Sequence, residues 1–279
     1  MKRLISIILA VAALTSATSC KQEAAKSLIS IMSFNVRFDT QVDGDNRWDM
    51  RKGAVPTMIA DQKPTIWGVQ ECVHGQKQYM DENCAGYKSI GIGRDDGLLG
   101  GEFMAIYYAE DVVSLDDWGT FWLSETPDQV SKGWDADCFR TATWAKFTLA
   151  EGGKKFFMIN THLDHKGAVA QAESMRLIDS KIKELNGEEL PVVVIADFNR
   201  QYDTPIFDPV RDYLLDAREH AAATDDMYTF NGWGRSAEHK VDIILTSKFT
   251  PLTFEVIDQT YDNVPYISDH YPVIATLEF

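Results

Sequence analysis

Short runs of β-branched and aromatic residues recur along the chain, and their lengths are typical of β-strands. The predicted strands are Ile29–Val36, Thr65–Gln70, Phe103–Tyr108, Thr143–Leu149, Phe156–Asn160, Val192–Ala196, Val241–Thr246 and Tyr271–Phe279. Several of them, such as Val192–Ala196, are apolar on both faces. This pattern predicts central strands of a sheet that is covered on both sides.

Segments between the strands show helical periodicity. One face of Ala168–Leu185 carries apolar residues at steps of three and four: Met175, Ile178, Ile182 and Leu185. Asn186 and Gly187 then predict the end of this helix. Further helices are predicted for Trp48–Ala60 and for the segment after Val73. Strands outnumber helices and partly follow one another as in hairpins, so a mixed sheet is favoured over a doubly wound parallel sheet.

The first 19 residues differ from the rest of the chain. Lys2 and Arg3 precede the apolar run Leu4–Leu14 and a short stretch of small polar residues, which is the layout of a signal peptide. The apolar run is too short for a permanent membrane span. Cys20 follows directly, and this segment is similar to a bacterial lipobox, which implies a lipid-modified Cys20 and a tether over residues 20–27. The alternative is plain cleavage that leaves Cys20 as a free thiol.

These features predict an exported cell-envelope lipoprotein, periplasmic or associated with the outer membrane. It would be held to the membrane through Cys20, with residues 28–279 forming one monomeric domain. Of the 279 residues, 45% are hydrophobic and 25% are charged, which is a globular composition. Three cysteines remain besides Cys20, and their spacing matches no zinc site. Export would permit a disulfide between Cys72 and Cys84, but buried free thiols are the favoured interpretation.

The chain is acidic, with a formal net charge of −15 that becomes −17 when residues 1–19 are removed. An acidic surface repels polyanions at long range, so no stable nucleic-acid partner is expected. Acidity is still compatible with a phosphate-ester substrate, because a metal ion reverses the local field in a cleft. The charge therefore favours a small substrate or a short stretch of a larger one.

Polar and ionisable residues follow the ends of the predicted strands. Because strand ends meet at one rim of a sheet, we expect these side chains to line one cleft. They are Asn35, Glu71, His162, Asp164, Asp197, Asn199, Asp242, Asp269 and His270. Two histidines with several carboxylates, and no nucleophilic Ser or Cys motif, suit a hard divalent cation bound by oxygen ligands.

These residues lie in motifs that occur in a fixed order: SFN, QE, GEFMAIYY, THLDH, ADFN, KVDIIL and SDHYPV, from Ser33 to Pro272. The set resembles the endonuclease/exonuclease/phosphatase superfamily, which includes deoxyribonuclease I, apurinic endonucleases, deadenylases and neutral sphingomyelinases. The resemblance implies an α/β fold of the deoxyribonuclease I type. This fold is a four-layer αββα sandwich of two mixed β-sheets flanked by helices, with the site at one edge.

The resemblance also implies the roles of individual residues. Asn35 and Glu71 would hold the metal with help from Asp269, and Asp197 would orient or deprotonate the attacking water. The scissile phosphate would be contacted by Asn199, His162, His270 and Arg140. Asp242 would fix the tautomer of His270 and raise its pKa, and Glu102 would position His162. Mg²⁺ is the expected cofactor, and Mn²⁺ is expected to substitute for it.

The expected activity is hydrolysis of a phosphodiester in a nucleotide or short oligonucleotide, by in-line attack of a water activated by Asp197. Hydrolysis of a phospholipid, sphingomyelin or another phosphate ester is the alternative within the same class. A catalytically inactive surface lipoprotein that binds a glycan or protein is the alternative from another class. Tryptophans are dense in the middle of the chain and near residue 233, and they either line a substrate pocket or pack in the core. They are Trp118, Trp122, Trp134, Trp144 and Trp233.

Overall fold

The computed structural model describes residues 27–279. The predicted signal peptide and the lipidated Cys20 lie outside the described residues. Between residues 27 and 279, no helix is long and apolar enough to cross a membrane.

Two large mixed sheets dominate the described part of the chain. Its strands are β1 (Leu28–Asn35), β2 (Ile66–Gln70), β3 (Cys72–Val73), β4 (Tyr87–Ile90), β5 (Glu102–Phe103), β6 (Ile106–Ala109), β7 (Val113–Trp122), β8 (Thr141–Leu149), β9 (Lys155–His162), β10 (Val192–Asp197), β11 (Leu215–Asp216), β12 (Ala223–Thr224), β13 (Asp242–Ser247), β14 (Thr250–Val256) and β15 (Val273–Glu278). The first sheet has the order β12-β14-β15-β1-β2-β6-β4 and the second has the order β11-β13-β10-β9-β8-β7. The strands β3 and β5 pair with each other as a small antiparallel sheet.

Helices cover the outer faces of both sheets. They are α1 (Trp48–Arg51), α2 (Ala54–Gln62), α3 (His74–Asn83) and α4 (Ala168–Leu185), with 3₁₀ turns at Gln41–Asn46 and Pro205–Phe207. The short helix α5 (Ala217–His220) instead contacts β13 and β14, one strand of each sheet. Side chains from α1, α2 and α3 pack with Met32, Phe34 and Trp67 of the first sheet. Met175 and Ile178 of α4 pack on the outer face of the second sheet.

The inner faces of the two sheets pack against each other through a separate apolar cluster, which includes Ile29, Ile66, Met158 and Val193. The layers therefore run helices, first sheet, second sheet, helix. This arrangement confirms the predicted αββα sandwich. The sheets approach each other very closely at Gly68, where a Cβ atom would lie 2.5 Å from Ile195 Cδ1.

Most predicted elements are present, with three differences. The predicted strand Phe103–Tyr108 is broken into β5, which pairs with β3, and β6, which pairs with β2 and β4. The predicted helix Trp48–Ala60 is divided into α1 and α2 at Lys52 and Gly53. The strands β4, β7 and β14, and the two-residue strands β3, β11 and β12, were not predicted. The edge strand β7 is interrupted by a bulge between Leu115 and Asp117 and carries exposed acidic residues, which disrupt the hydrophobic pattern.

The three cysteines of the described chain are free thiols. Cys72 and Cys84 are buried, and burial raises the pKa of both thiols, that of Cys84 to about 12. The favoured interpretation of free thiols therefore agrees with the structure, and such thiols are chemically inert near neutral pH.

Candidate active site

The cleft lies where the space between the two sheets opens to solvent. Asn35, His162 and Asp197 are the last residues of β1, β9 and β10, and Asp242 is the first residue of the antiparallel strand β13. In the pairing register, Asp197 lies opposite both His162 and Asp242. Because side chains alternate along a strand, all four positions point into the space between the sheets.

A buried polar layer separates the apolar core from the cleft. Gln70 Nε2 donates to Ser33 Oγ at 3.2 Å and to Asn160 Oδ1 at 2.7 Å. Asn160 Nδ2 in turn donates to the backbone carbonyls of Val69 and Ala105. These bonds connect the two sheets just below the cleft, so they fix the spacing of the strands that carry the site.

Glu71 reaches the cleft from the end of β2, where its backbone adopts the left-handed region with φ of 58°. Asn35 Nδ2 donates to Glu71 Oε1 at 3.0 Å and to Asp197 Oδ2 at 2.9 Å. The predicted metal ligands Asn35 and Glu71 are thus adjacent. Asp269, the third predicted ligand, lies in the same cavity.

Arg37 was not predicted to belong to the site. Its guanidinium lies between two of the predicted ligands, 3.6 Å from Glu71 Oε2 and 3.8 Å from Asp269 Oδ2, and it also pairs with Asp43. Burial alone would lower the pKa of Arg37, but these carboxylates raise it above the ordinary value. A basic residue two positions after Asn35 was the only signal in the sequence.

The loop that carries Arg37 is held by two buried side chains that sequence reasoning also missed. Arg51 donates from Nη1 to the carbonyls of Val36 and Ile267, and from Nη2 to the Arg37 carbonyl at 2.6 Å. Gln76 Nε2 donates to the same Arg37 carbonyl. The cation and the amide satisfy backbone carbonyls that would otherwise be buried without partners, which fixes this rim of the cleft.

Asp197 lies at the centre of the site. Its Oδ1 accepts a hydrogen bond from the Asn199 backbone N–H at 2.9 Å. Burial, with a further contribution from Asp242, raises the pKa of Asp197 to about 7 although His270 opposes the rise. A carboxylate with this pKa exchanges protons near neutral pH, which is what a general base requires.

His270 pairs with Asp242, with Nδ1 2.8 Å from Asp242 Oδ2. Burial alone would lower the pKa of His270, but Asp242, Asp197 and Asp269 raise it to about 10. His270 is therefore a cation at neutral pH. Its Nε2 faces the cleft, 3.7 Å from Asp197 Oδ2.

The pKa of His162 is shifted in the opposite direction. Burial lowers its pKa well below the ordinary value, and the nearby cations Arg140 and Arg94 lower it further. Asn199 Nδ2 donates to His162 Nε2 at 2.9 Å and to the Leu163 carbonyl at 3.0 Å. The imidazole is therefore neutral, and its Nε2 accepts a hydrogen bond from the Asn199 amide, which orients that amide.

Glu102, predicted to position His162, lies beside it without a hydrogen bond to it. Its Oε2 is 4.0 Å from His162 Nδ1, because the carboxylate instead pairs with Arg94 Nη1. Burial raises the pKa of Glu102 to about 7, with Glu71 adding to the rise and Arg94 opposing it. Arg94 is a further residue that the sequence analysis missed. It lies on the glycine-rich loop before β5.

Arg140 is buried against Asp164, with Nε 3.4 Å from Asp164 Oδ2, and its Nη2 is 3.1 Å from His165 Nδ1. Arg140 Nη1 and Arg94 Nε are buried and have no hydrogen-bond partner within residues 27–279. Asp164 accepts from the backbone N–H groups of Asp137, Cys138, Lys166 and Gly167. It therefore supports the walls of the cleft.

One cavity of about 340 Å³ contains most of these groups. Its lining includes the predicted site residues Glu71, Glu102, Arg140, His162, Asn199, Asp269 and His270. Asn35, Asp197 and Asp242 lie directly behind this lining. No tryptophan lines the cavity. Instead, Trp122 donates to the Arg94 carbonyl and Trp144 stacks on Phe157.

The donor set fits a hard cation on one side of the cavity. Glu71, His162 and Asp197 each place one possible ligand atom within 4.8 Å of the others, and of these three only Glu71 is a predicted ligand. The second such group consists of Asp197, Asp242 and His270. His270 is protonated and pairs with Asp242, so this group is not available to a metal. Glu71 and Asn35 supply oxygen donors, which Mg²⁺ prefers.

Residues 32–270 match the model of the endonuclease/exonuclease/phosphatase family. The chain belongs to this family. An endonuclease/exonuclease/phosphatase from Bacteroides vulgatus is 37% identical, with 91% of this chain and 100% of that chain covered and a TM-score of 0.85. Members of the family are hydrolases that act on phosphate esters, so this chain is a phosphoesterase of the deoxyribonuclease I fold.

Two further structures are similar to the chain. A mannosyl-6-phosphatase from Bacteroides thetaiotaomicron is 34% identical, with 90% of this chain and 100% of that chain covered and a TM-score of 0.86. TDP2 from D. rerio, complexed with a single-strand DNA product, is 20% identical, with 90% and 99% covered and a TM-score of 0.71. The second likeness shows the shared fold alone.

Proposed function

We propose that the protein is a divalent-metal-dependent phosphatase that releases inorganic phosphate from a sugar phosphate. The observation that carries this proposal is the pair of buried guanidinium groups in the phosphate cavity. Both guanidinium groups line the cavity. Arg94 Nε, 3.7 Å from Asp95 Oδ1, and Arg140 Nη1 make no hydrogen bond within the described part of the chain, so each group keeps N–H donors beyond its pairing with a carboxylate. Such guanidinium donors bind phosphate oxygens.

A phosphate monoester suits this cavity better than a diester. Its dianion has three terminal oxygens, whereas a diester has only two and a single charge. Arg94, Arg140 and the His270 cation provide positive charge for a dianion in a site where charges are weakly screened. The similarity to a mannosyl-6-phosphatase over 90% of this chain supports the same substrate class.

Asn35, Glu71 and Asp269 would hold the cation, for which Mg²⁺ is the first candidate and Mn²⁺ a substitute. When bound, the cation supplies positive charge that neutralises the phosphate. Asp197 accepts a proton from the attacking water while the water oxygen forms its bond to phosphorus and the ester P–O bond breaks. The leaving oxygen takes up a proton from solvent and departs as the free alcohol. His270 donates a hydrogen bond to a terminal oxygen as charge builds on it, and Asn199, oriented by His162, donates to another.

The sequence motifs favoured nucleotide phosphodiesters as the substrates. The net charge of −15 and the small size of the cavity favour a small monoester instead, because a polynucleotide meets repulsion over a longer stretch of surface. Nucleotide and phospholipid diesters are therefore the competing outcomes of the test below.

The test is phosphate release and chain cleavage across a panel of substrates. The panel contains hexose 6-phosphates, bis-p-nitrophenyl phosphate, short DNA and RNA, and sphingomyelin. Each is assayed with Mg²⁺, with EDTA and with the Asp197→Asn variant. We expect phosphate release from a hexose phosphate with Mg²⁺ and its loss in both controls. A higher kcat/KM for a diester would replace the proposal with a phosphodiesterase, and no turnover would favour an inactive binding protein.

A further inference from the structure

The cleft continues beyond the phosphate cavity through two more cavities. The first outer cavity, of about 420 Å³, is bordered by His270, Asn199 and Phe230, which also line the phosphate cavity. The second outer cavity, also of about 420 Å³, shares Gln201 with the first. Each outer cavity therefore adjoins the one before it, and an ester bound at the phosphate site can extend its alcohol portion into them.

The first outer cavity combines an aromatic face with free polar groups. The Phe230 ring lies 5.0 Å from the His270 ring and 6.5 Å from the His239 ring. Arg200, Gln201 and Thr204 form the other wall. Across residues 27–279, the side chains of Gln201 and His239 make no hydrogen bond with another residue of the chain. An apolar ring face with unused donors and acceptors beside it suits a polyhydroxylated ring.

The second outer cavity is lined by four carboxylates, Asp203, Asp216, Glu219 and Asp226, and by Lys240, which pairs with Asp226. The carboxylates outnumber the cations of the lining. Arg218 lies among the carboxylates and is 8% exposed. Its Nη1 donates to the carbonyls of Asp225 and Met227, whereas its Nη2 is buried with no partner in the described residues. Carboxylates accept hydrogen bonds from hydroxyl groups and repel a second phosphate, so this cavity favours a neutral hydroxylated chain over a polynucleotide.

We infer that the two outer cavities are successive saccharide subsites. The substrate is then a phosphorylated oligosaccharide of at least two sugar residues, with no charge apart from the terminal phosphate. This inference rests on the proposed phosphatase function and adds the size and charge of the alcohol portion. Gln201 joins the two subsites and is a specificity-determining residue.

The first experiment compares kcat/KM for phosphate release from three substrates: mannose 6-phosphate, and di- and trimannosides that carry one 6-phosphate. We expect kcat/KM to rise about tenfold with each occupied subsite, which corresponds to one well-made hydrogen bond at each. A short oligonucleotide that carries a 5′-phosphate serves as the polyanionic arm, and we expect it to be a worse substrate than mannose 6-phosphate.

The second experiment uses variants of the outer cavities. Gln201 is exposed and makes no side-chain hydrogen bond to described residues, so Gln201→Ala is expected to fold normally. This variant and Asp203→Ala should reduce the ratio of kcat/KM for the trimannoside to that for the monosaccharide by about tenfold. The matched control is Gln129→Ala, an exposed position outside the three cavities, which should retain the wild-type ratio.

The outcomes separate the two proposals. Equal kcat/KM for all three saccharides, or an unchanged ratio in both variants, would overturn the saccharide subsites and leave the phosphatase intact. Preference for the oligonucleotide would assign the outer cavities to a polynucleotide. Absence of turnover for every phosphate ester would overturn the phosphatase itself.

Discussion

The two histidines of the cleft differ in charge because their neighbours differ. His270 is surrounded by Asp242, Asp197 and Asp269, which together outweigh burial and keep it protonated. His162 is equally buried, but there burial lowers the pKa and the cations Arg140 and Arg94 lower it further, so the imidazole is neutral. One histidine therefore supplies positive charge to the phosphate, and the other orients Asn199.

Asp242→Asn tests the first of these roles. The amide keeps the shape of the carboxylate but removes the charge that holds His270 in its cationic form. We expect kcat/KM to fall about 10²- to 10³-fold, which is typical for the loss of one charge-stabilising group. Steady-state kinetics measure the change, and Asp208→Asn, at an exposed position, is the control. A loss smaller than threefold would show that the Asp242 charge is not needed.

Asp164→Asn tests the support of the cleft walls. Burial alone would raise the pKa of Asp164, but its backbone N–H donors and Arg140 lower it below the ordinary value. We expect the variant to lose about 2–3 kcal/mol of unfolding free energy at pH 7, because an amide cannot accept all these hydrogen bonds. Urea unfolding measures the loss, and Asp128→Asn is the control, since Asp128 is 84% exposed.

The pH dependence of this difference follows from the lowered pKa. The carboxylate stabilises the folded state fully above its unfolded pKa of about 3.9. That contribution is lost progressively as pH falls below this value toward the folded pKa. The difference between wild type and Asp164→Asn should therefore be constant from pH 5 to pH 8 and decrease below about pH 4. A difference that grew on acidification would contradict the assignment.

Close contact between the two sheets positions the strands that carry the site. At Gly68, a Cβ atom would lie 2.5 Å from Ile195 Cδ1 and 2.7 Å from Asn160 Cγ. Asn160 also belongs to the polar layer below the cleft. Any side chain at Gly68 therefore separates the sheets and disturbs this layer at the same time.

Gly68→Ala is expected to lower the free energy of unfolding by about 1–3 kcal/mol, because the extra methyl group overpacks the interface. The matched control is Gly75→Ala in α3, where a Cβ atom would meet nothing within 4 Å. That change should leave stability unaltered or raise it by up to about 1 kcal/mol. Urea unfolding of both variants measures the contrast. Equal effects on the free energy of unfolding would show that the sheets accommodate a methyl group at Gly68 without loss of stability.

The elements themselves were largely predictable. The helix Ala168–Leu185 agrees with its predicted bounds because its apolar stripe faces one sheet along its whole length. β7 could not be predicted, because half of its residues face solvent at the edge of a sheet. The break between β5 and β6 could not be predicted either, because the two pieces pair with different strands. Local patterns therefore identify elements that bury a regular face, and they miss elements shaped by a distant partner.

On the scale of the whole molecule, an acidic exterior surrounds a cleft that contains Arg37, Arg94 and Arg140. The predicted cation ligands Asn35 and Glu71 lie at one side of this cleft. A ligand that binds only the folded protein stabilises it by mass action, so binding of Mg²⁺ is measurable without a substrate.

We expect Mg²⁺ at about 100 times its Kd to increase the unfolding free energy by about 2.7 kcal/mol, which raises Tm by several degrees. The increase should be lost in Glu71→Ala and retained in Glu82→Ala, an exposed position on α3. Differential scanning calorimetry with Mg²⁺ and with EDTA makes the comparison. An equal increase in both variants would place the cation elsewhere.

The sequence by itself determined the family, the αββα architecture and the set of residues that converge on the cleft. It did so because the motifs at the strand ends are local, and because the alternation of side chains fixes which of them face inward. Export and lipid attachment at Cys20 stay predictions.

Only the tertiary structure decided the charge of each histidine, the pairing of Glu102 with Arg94 rather than His162, and the roles of Arg37 and Arg51. These properties arise from burial and from contacts between residues far apart in the chain. The tertiary structure also decided the arrangement of the three adjoining cavities, because it sets the distances between the loops that line them. Desolvation and long-range electrostatics depend on the folded surroundings of a group, and no local pattern in a sequence encodes them.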